Sequence, residues 1–147
     1  MKTKPTLPHL GINAFHNYNI GNEAAIDGEI PKLNDIRDES ESNGRPNWMS
    51  EFSKGEFDWL DTAKVIHNTL VEANSSAYIF WKLVWGDSTN PDEIIFNIDG
   101  SENYVKGNTY YAIKHFSKHI SRGQLFLTDP NPDPTRAFYS IQRDTGL

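Results

Sequence analysis

The sequence predicts an α/β fold built on parallel strands, and three observations carry that prediction. Segments of two-residue and of helical periodicity alternate in the order strand, helix, strand, helix, strand, helix, which requires parallel strands joined by crossovers. Ser76 to Trp85 (SAYIFWKLVW) is almost continuously apolar and rich in β-formers, the pattern of a strand buried on both faces. Before it, Asp58 stands in a capping position ahead of Trp59, Ala63, Ile66 and Leu70, which form one helical stripe ending near Asn74.

Each element follows in order. Leu10 to Tyr18 (LGINAFHNY) reads as a strand with Ile12, Ala14, His16 and Tyr18 on one face. A polar, Gly-punctuated loop spans Asn19 to Gly28. Pro31 to Ser42 is a predicted helix, with Ile30, Leu33 and Ile36 at helical spacing, a solvated acidic face and Asn43-Gly44 as its stop. Pro46 to Glu51 is the next strand, with Trp48 and Met49 as its buried body. After Trp85, Gly86 to Lys106 is read as a long polar loop. Asn108 then opens a helix to about Ile120, with Tyr110, Ile113, Phe116, Ser117 and Ile120 inward. Beyond Gly123 the character changes. Gln124 to Thr128 and Ala137 to Gln142 are short strands around a Pro-rich turn, which divides the chain into a main body over 1–122 and a β-unit beginning at 123–147.

Composition narrows the function. The chain has 147 residues, enough for one core of useful size. Its formal charge is -6 and no basic stripe suggests nucleic acid or an anionic membrane as a partner. There is no cysteine, which excludes disulfides, thiolate metal sites and cysteine nucleophiles. Met1 to Pro5 is followed by no apolar signal-peptide core, and no run is long enough to span a bilayer.

The candidate site lies where strands end. Glu51 closes an apolar, aromatic strand, His16 and Tyr18 close the strand before it, and Trp81 and Trp85 lie toward the end of the strand after it. Parallel strands bring such ends to one side of a sheet, where sites are built. A carboxylate there, with Tyr18 or His16 to hold it and a Trp as an apolar platform, suits a glycosidase nucleophile. That glycosidase reading implies no metal or organic cofactor. Taken singly, each residue has a plainer role: Glu51 as a solvated surface carboxylate, His16 as a structural hydrogen-bonder, Tyr18 and Trp81 as core.

The ordered set Ala14-Phe15-His16-Asn17-Tyr18, Trp48-Met49-Ser50-Glu51, Ala77-Tyr78-Ile79-Phe80-Trp81, Tyr110 to Ile120 and Arg122-Gly123 resembles the C-terminal half of family-30 glycoside hydrolases, above all their xylanase and glucuronoxylanase branch. The resemblance runs from about Leu10 to the end of the chain. It implies a partial (β/α)8 TIM barrel comprising strands six to eight with their helices, plus the start of a side β-domain. It implies that Glu51, in the Trp-Met-Ser-Glu motif, is the nucleophile of a retaining enzyme, that His16, Tyr18, Trp81 and Trp85 contact the substrate, and that the protein is secreted to reach a polymeric substrate.

Two departures from the family pattern matter. The family's acid/base Glu ends strand four in an Asn-Glu pair. Asn22-Glu23 imitates that pair but falls in the loop after the first strand of this chain, so the acid/base stays unassigned. The loop after the third strand offers Asp87, Asp92 and Glu93 and no Arg, and Lys82 points away by alternation. A neutral or sparsely decorated β-xylan is therefore favoured over obligate glucuronoxylan. A barrel closes with eight strands, so the chain reads as part of an enzyme, its partners being a polysaccharide or oligosaccharide and the missing N-terminal half of the barrel. The rival reading is a truncated, non-catalytic piece that binds carbohydrate or complements another chain.

Overall fold

In the computed structural model, residues 11–22, 25–85, 94–98, 103–120, 125–127 and 140–142 are described, with Trp85 and the last two stretches known by their backbone alone. The body is the predicted alternation: β1 (Asn13–His16), α1 (Ile30–Asn43), β2 (Asn47–Phe52), α2 (Trp59–Val71) and β3 (Ser75–Phe80), with a 3-10 turn at Asp27–Glu29. The three strands form a parallel sheet in the order β1-β2-β3. This mixed α/β arrangement is consistent with part of a TIM-barrel-like fold. Among the described residues the sheet does not close.

Local chemistry fixes the helix ends. The Asp58 carboxylate accepts from the backbone N–H groups of Leu60 (2.7 Å) and Asp61 (2.9 Å), so the cap predicted for α2 is made. Gly44 takes the left-handed conformation that ends α1, at φ 65°, as the Asn-Gly stop requires. Asn47, fully buried at the start of β2, donates through Nδ2 to the carbonyls of Ile36 (3.1 Å) and Ala73 (3.0 Å) and ties the first helix and the turn before β3 to the central strand.

One face of the sheet is covered. Ile20, Ile26, Met49, Phe52, Phe57 and Val65 form the core, with Phe15 and Tyr78 packed against it. Phe15, Met49 and Tyr78 are register partners across the three strands, so a single row of the sheet faces α1 and α2. The other face is open. Ala14 and Trp48 are register partners and both exposed, and Ile79 is 47% exposed. Trp48 is thus not the buried strand body that its apolarity predicted: alternation sends it to the side opposite Met49, where no described element packs.

Other expectations need correction. β1 is shorter than Leu10 to Tyr18, and Tyr18 lies in the turn after it. Trp59 is 48% exposed, because α2 buries the stripe of Thr62, Val65, Ile66 and Thr69 rather than one beginning at Trp59. Ser76 to Trp85 is not one doubly buried strand. β3 leaves its ladder at Phe80, the Trp81–Lys82 peptide is cis, and the chain enters β4 (Val84–Trp85) in a second sheet. Leu83 and Val84 are exposed accordingly. The supposed loop from Gly86 to Lys106 contains β5 (Phe96–Ile98) and β6 (Tyr104–Lys106), which complete that sheet. α3 (Asn108–Ser117) buries the small Thr109 and Ala112 and leaves Ser117 exposed, against the expected inward position of Ser117. β7 (Leu125–Leu127) pairs antiparallel with β8 (Ser140–Gln142).

Candidate active site

A break in strand regularity exposes Glu51. Phe15 pairs with Met49 and the next residue, His16, pairs with Glu51, while on the other side Met49 pairs with Tyr78 and Phe52 with Phe80. β2 therefore carries an extra residue between Met49 and Phe52. Both of those side chains are fully buried in the same core, three positions apart, where strict alternation would separate them. The bulge leaves Ser50 and Glu51 out of that core, and Glu51 is half-buried.

Tyr18 meets it there. The Tyr18 hydroxyl donates to Glu51 Oε1 at 3.1 Å, from the turn after β1 to the C-terminal end of β2. The Tyr18 ring lies 5.8 Å from that of Phe52 and is met edge-on by the His16 ring at 6.0 Å. Partial burial, then the hydrogen bond to Glu51 and its charge, raise the Tyr18 pKa above the ordinary value near 10, and contacts with the side chain and backbone of Ser53 lower it in part. Tyr18 is therefore a phenol, a permanent donor, throughout neutral pH.

The structure places the sequence-predicted residues in four ways. Tyr18 and Glu51 are in direct contact. His16 shares the cluster but touches Tyr18 and not the carboxylate. Trp81 is half-exposed just past β3, its backbone N–H donating to the carbonyl of Phe52 at 2.9 Å, which places it one strand away from the carboxylate. Trp85 lies in β4, in the second sheet; its side chain falls outside the described residues, as do Glu23, Asp87, Asp92 and Glu93.

Three further residues belong to the setting. Ser53 touches Tyr18, and its position two residues after Glu51 was the only sequence signal for it. Lys54 donates through Nζ to the carbonyls of Ile20 (2.7 Å) and Gly21, clamping the loop after β2 to the loop after β1 so that both walls of the site are held together. Tyr78 lies behind Tyr18 with its hydroxyl buried and unpartnered, which no sequence pattern announces. Among the described residues no three His, Asp or Glu side chains converge on a point that could hold a metal ion.

Comparison with known proteins places the fold. No family model matches the chain, and no curated protein does. Solved structures match it. The catalytic domain of GH30 xylanase C from Talaromyces cellulolyticus aligns with a TM-score of 0.51 and 20% identity over 60% of this chain and 23% of that one. The chain has a fold like that of part of this catalytic domain. A conserved exported protein from Bacteroides fragilis aligns with a TM-score of 0.62 and 18% identity over 93% of this chain and 30% of its own. SrfJ from Salmonella typhimurium gives 0.55 and 16% over 76% and 26%. The chain thus spans under a third of each solved chain, and at these identities the likeness is one of fold.

Proposed function

We propose that the chain is part of a retaining glycoside hydrolase acting on β-linked polysaccharide, a neutral or sparsely decorated xylan being favoured, with Glu51 as nucleophile. The observation that carries this reading is the hydrogen bond from Tyr18 to Glu51 at the C-terminal ends of adjacent parallel strands. A nucleophilic carboxylate must present one oxygen to the anomeric carbon while the other is held, and a phenol that stays protonated holds it without competing for the reaction. The Glu51 oxygen forms the bond to the anomeric carbon as the glycosidic C–O bond breaks, and the leaving oxygen takes a proton from a second carboxyl. Retaining enzymes hold that group roughly 5–5.5 Å from the nucleophile. No described residue is assigned to it. Water, deprotonated by the same group, then releases the sugar. His16 packs Tyr18 in place, and Trp81 offers flat apolar surface to a sugar ring.

The test is covalent labelling. The purified chain is incubated with xylan and, separately, with a fluoro-sugar or epoxide inactivator, followed by peptide mapping. Reducing ends from xylan and an adduct on Glu51 that Glu51→Gln lacks are expected. Absence of both product and adduct overturns the enzyme reading for this chain.

A second reading, a piece that binds carbohydrate or is completed by another chain, is favoured by the uncovered sheet face at Ala14, Trp48 and Ile79 and by β1 and β3 standing at the sheet's edges. The partner of that reading is the remaining part of the barrel. A monodisperse monomer with a cooperative melt counts against it. We also propose an extracellular setting, since the polymeric substrate lies outside cells. One similar structure is of an exported protein, and among the described residues no helix is long and apolar enough to cross a membrane.

A further inference from the structure

Away from Glu51, α3 and the turn after it gather Tyr111, Lys114, His115, Lys118 and His119 around one recess of about 220 Å³. Four-residue spacing stacks Tyr111 and His115 in one column of α3 with Lys114 beside them, and Lys118 and His119 follow at the cap and in the turn after the helix. No Asp or Glu occurs anywhere from Asn103 to Thr128, although the chain as a whole carries -6. The ammonium groups of Lys106 and Lys114 both approach the Tyr110 ring, at 4.9 and 5.9 Å from its centroid. Among the described residues no carboxylate pairs with Lys106, Lys114 or Lys118. Cations near a helix C-terminus complement its dipole, which accounts for Lys114 and Lys118. It accounts neither for Lys106, which precedes the helix, nor for an acid-free stretch in an acidic protein.

We propose that this recess is a surface site for the carboxylates of a uronate-bearing polysaccharide. The occupant follows from what the recess has and lacks. It sits at a helix C-terminal end, which offers carbonyls and not the N–H groups that cage a free phosphate. Among the described residues its lining includes no Arg, so the cations that line it are Lys ammonium groups without a fork for a bidentate phosphate grip. Lys ammonium groups are point charges that accept carboxylates from many directions, as a flexible polymer requires. Tyr111, half-exposed at the rim, adds a flat face for the ring beside the carboxylate. The net negative charge of the chain disfavours the dense phosphates of nucleic acid. The choice of a sugar polymer rests on the proposed function, and the two sites then divide the work: neutral backbone at Glu51, sparse carboxylates at α3.

The experiment is affinity electrophoresis of the whole chain in gels containing polygalacturonate or neutral xylan. Retardation by polygalacturonate is expected. In the Lys114→Gln/Lys118→Gln double variant, losing two exposed ion pairs should raise the dissociation constant about fivefold or more. Circular dichroism should show the helices intact, and the distant pair Lys32→Gln/Arg37→Gln on α1 should behave as the native chain. Glu51→Gln should also be retarded normally, so failure of the catalytic reading leaves this result standing. The proposal is overturned if the double variant is retarded like the native chain, or if the distant pair loses as much. It is equally overturned if inorganic phosphate saturates the α3 amide resonances at micromolar concentration while polygalacturonate leaves them unmoved.

Discussion

Tyr78 provides a test of the structure that does not depend on activity. Its hydroxyl is buried behind Tyr18 with no hydrogen-bond partner, and burial, followed by the neighbouring Tyr18, drives its pKa far above the ordinary value. Tyr78→Phe removes the orphan oxygen and leaves the ring in the row it shares with Phe15 and Met49. An unsatisfied buried polar group costs about 1–3 kcal/mol, and since the ring itself is only half-buried a gain of about 1 kcal/mol at pH 7 is expected. The gain should grow with alkali. A raised folded-state pKa contributes stability that is complete below the unfolded value and is lost as pH rises beyond it, because only the unfolded chain then releases its proton. With an unfolded pKa of about 10, one pH unit above it removes about 1.4 kcal/mol from the native chain and nothing from the variant. The difference between the two should thus widen to about 2–2.5 kcal/mol at pH 11. Urea unfolding followed by Trp fluorescence at pH 7, 9 and 11 reads it. A variant less stable than the native chain at pH 7, or a gap that stays constant from pH 9 to 11, refutes the burial of that hydroxyl.

Other predictions address the helices, the site and the central strand. Burial lowers the His67 pKa, opposed by Asn68, Glu72 and Asp27, so its contribution to stability is present above the unfolded value of about 6.5 and lost as pH falls toward the folded one. His67→Gln should flatten the fall in urea midpoint between pH 7 and 5, and parallel curves would contradict the assignment. Tyr18→Phe deletes a half-exposed hydrogen bond to a charged group. At about 1.4 kcal/mol that predicts a tenfold slower labelling of Glu51 in stopped assays, whereas an unchanged rate would remove Tyr18 from the site. Asn47→Ala takes the Nδ2 donor from the carbonyls of Ile36 and Ala73 but also removes the buried, unpartnered Oδ1, so the net cost in equilibrium unfolding should be about 1–3 kcal/mol; a loss under about 0.5 kcal/mol would mean that these bonds do not tie the strand.

What was legible in the sequence was what is decided locally. Asp58 caps α2 and Gly44 ends α1 because those side chains, or the lack of one, act on backbone within a few residues. The order of strands and helices was legible because each carries its own period. Burial was not, because an apolar pattern says that a residue avoids water and not what covers it. Trp48, Trp59 and Ile79 are exposed for want of a described neighbour. β5 and β6 are three residues each, too short for alternation to register, so that stretch has the sequence pattern of a loop. Tyr18 and Glu51 were brought together by expectation for a partly mistaken reason. Alternation along a long strand was to aim Tyr18, whereas a turn after a short strand places it and a bulge in β2 frees its partner.

That bulge bears on how the chain finds its fold. Strict pairing from Met49 onward would turn Glu51 toward Ile26 and Val65 and push Phe52 to the open side, taking a charge into an apolar interior and a phenyl ring out of it. The irregular register is therefore enforced by what the regular one would do, and Glu51 does the enforcing. The carboxylate acts as a guard against slippage of the central strand while the sheet assembles. Replacing it by an apolar residue of similar size would remove more than a reactive group: it would make the alternative register affordable and the native one less distinct.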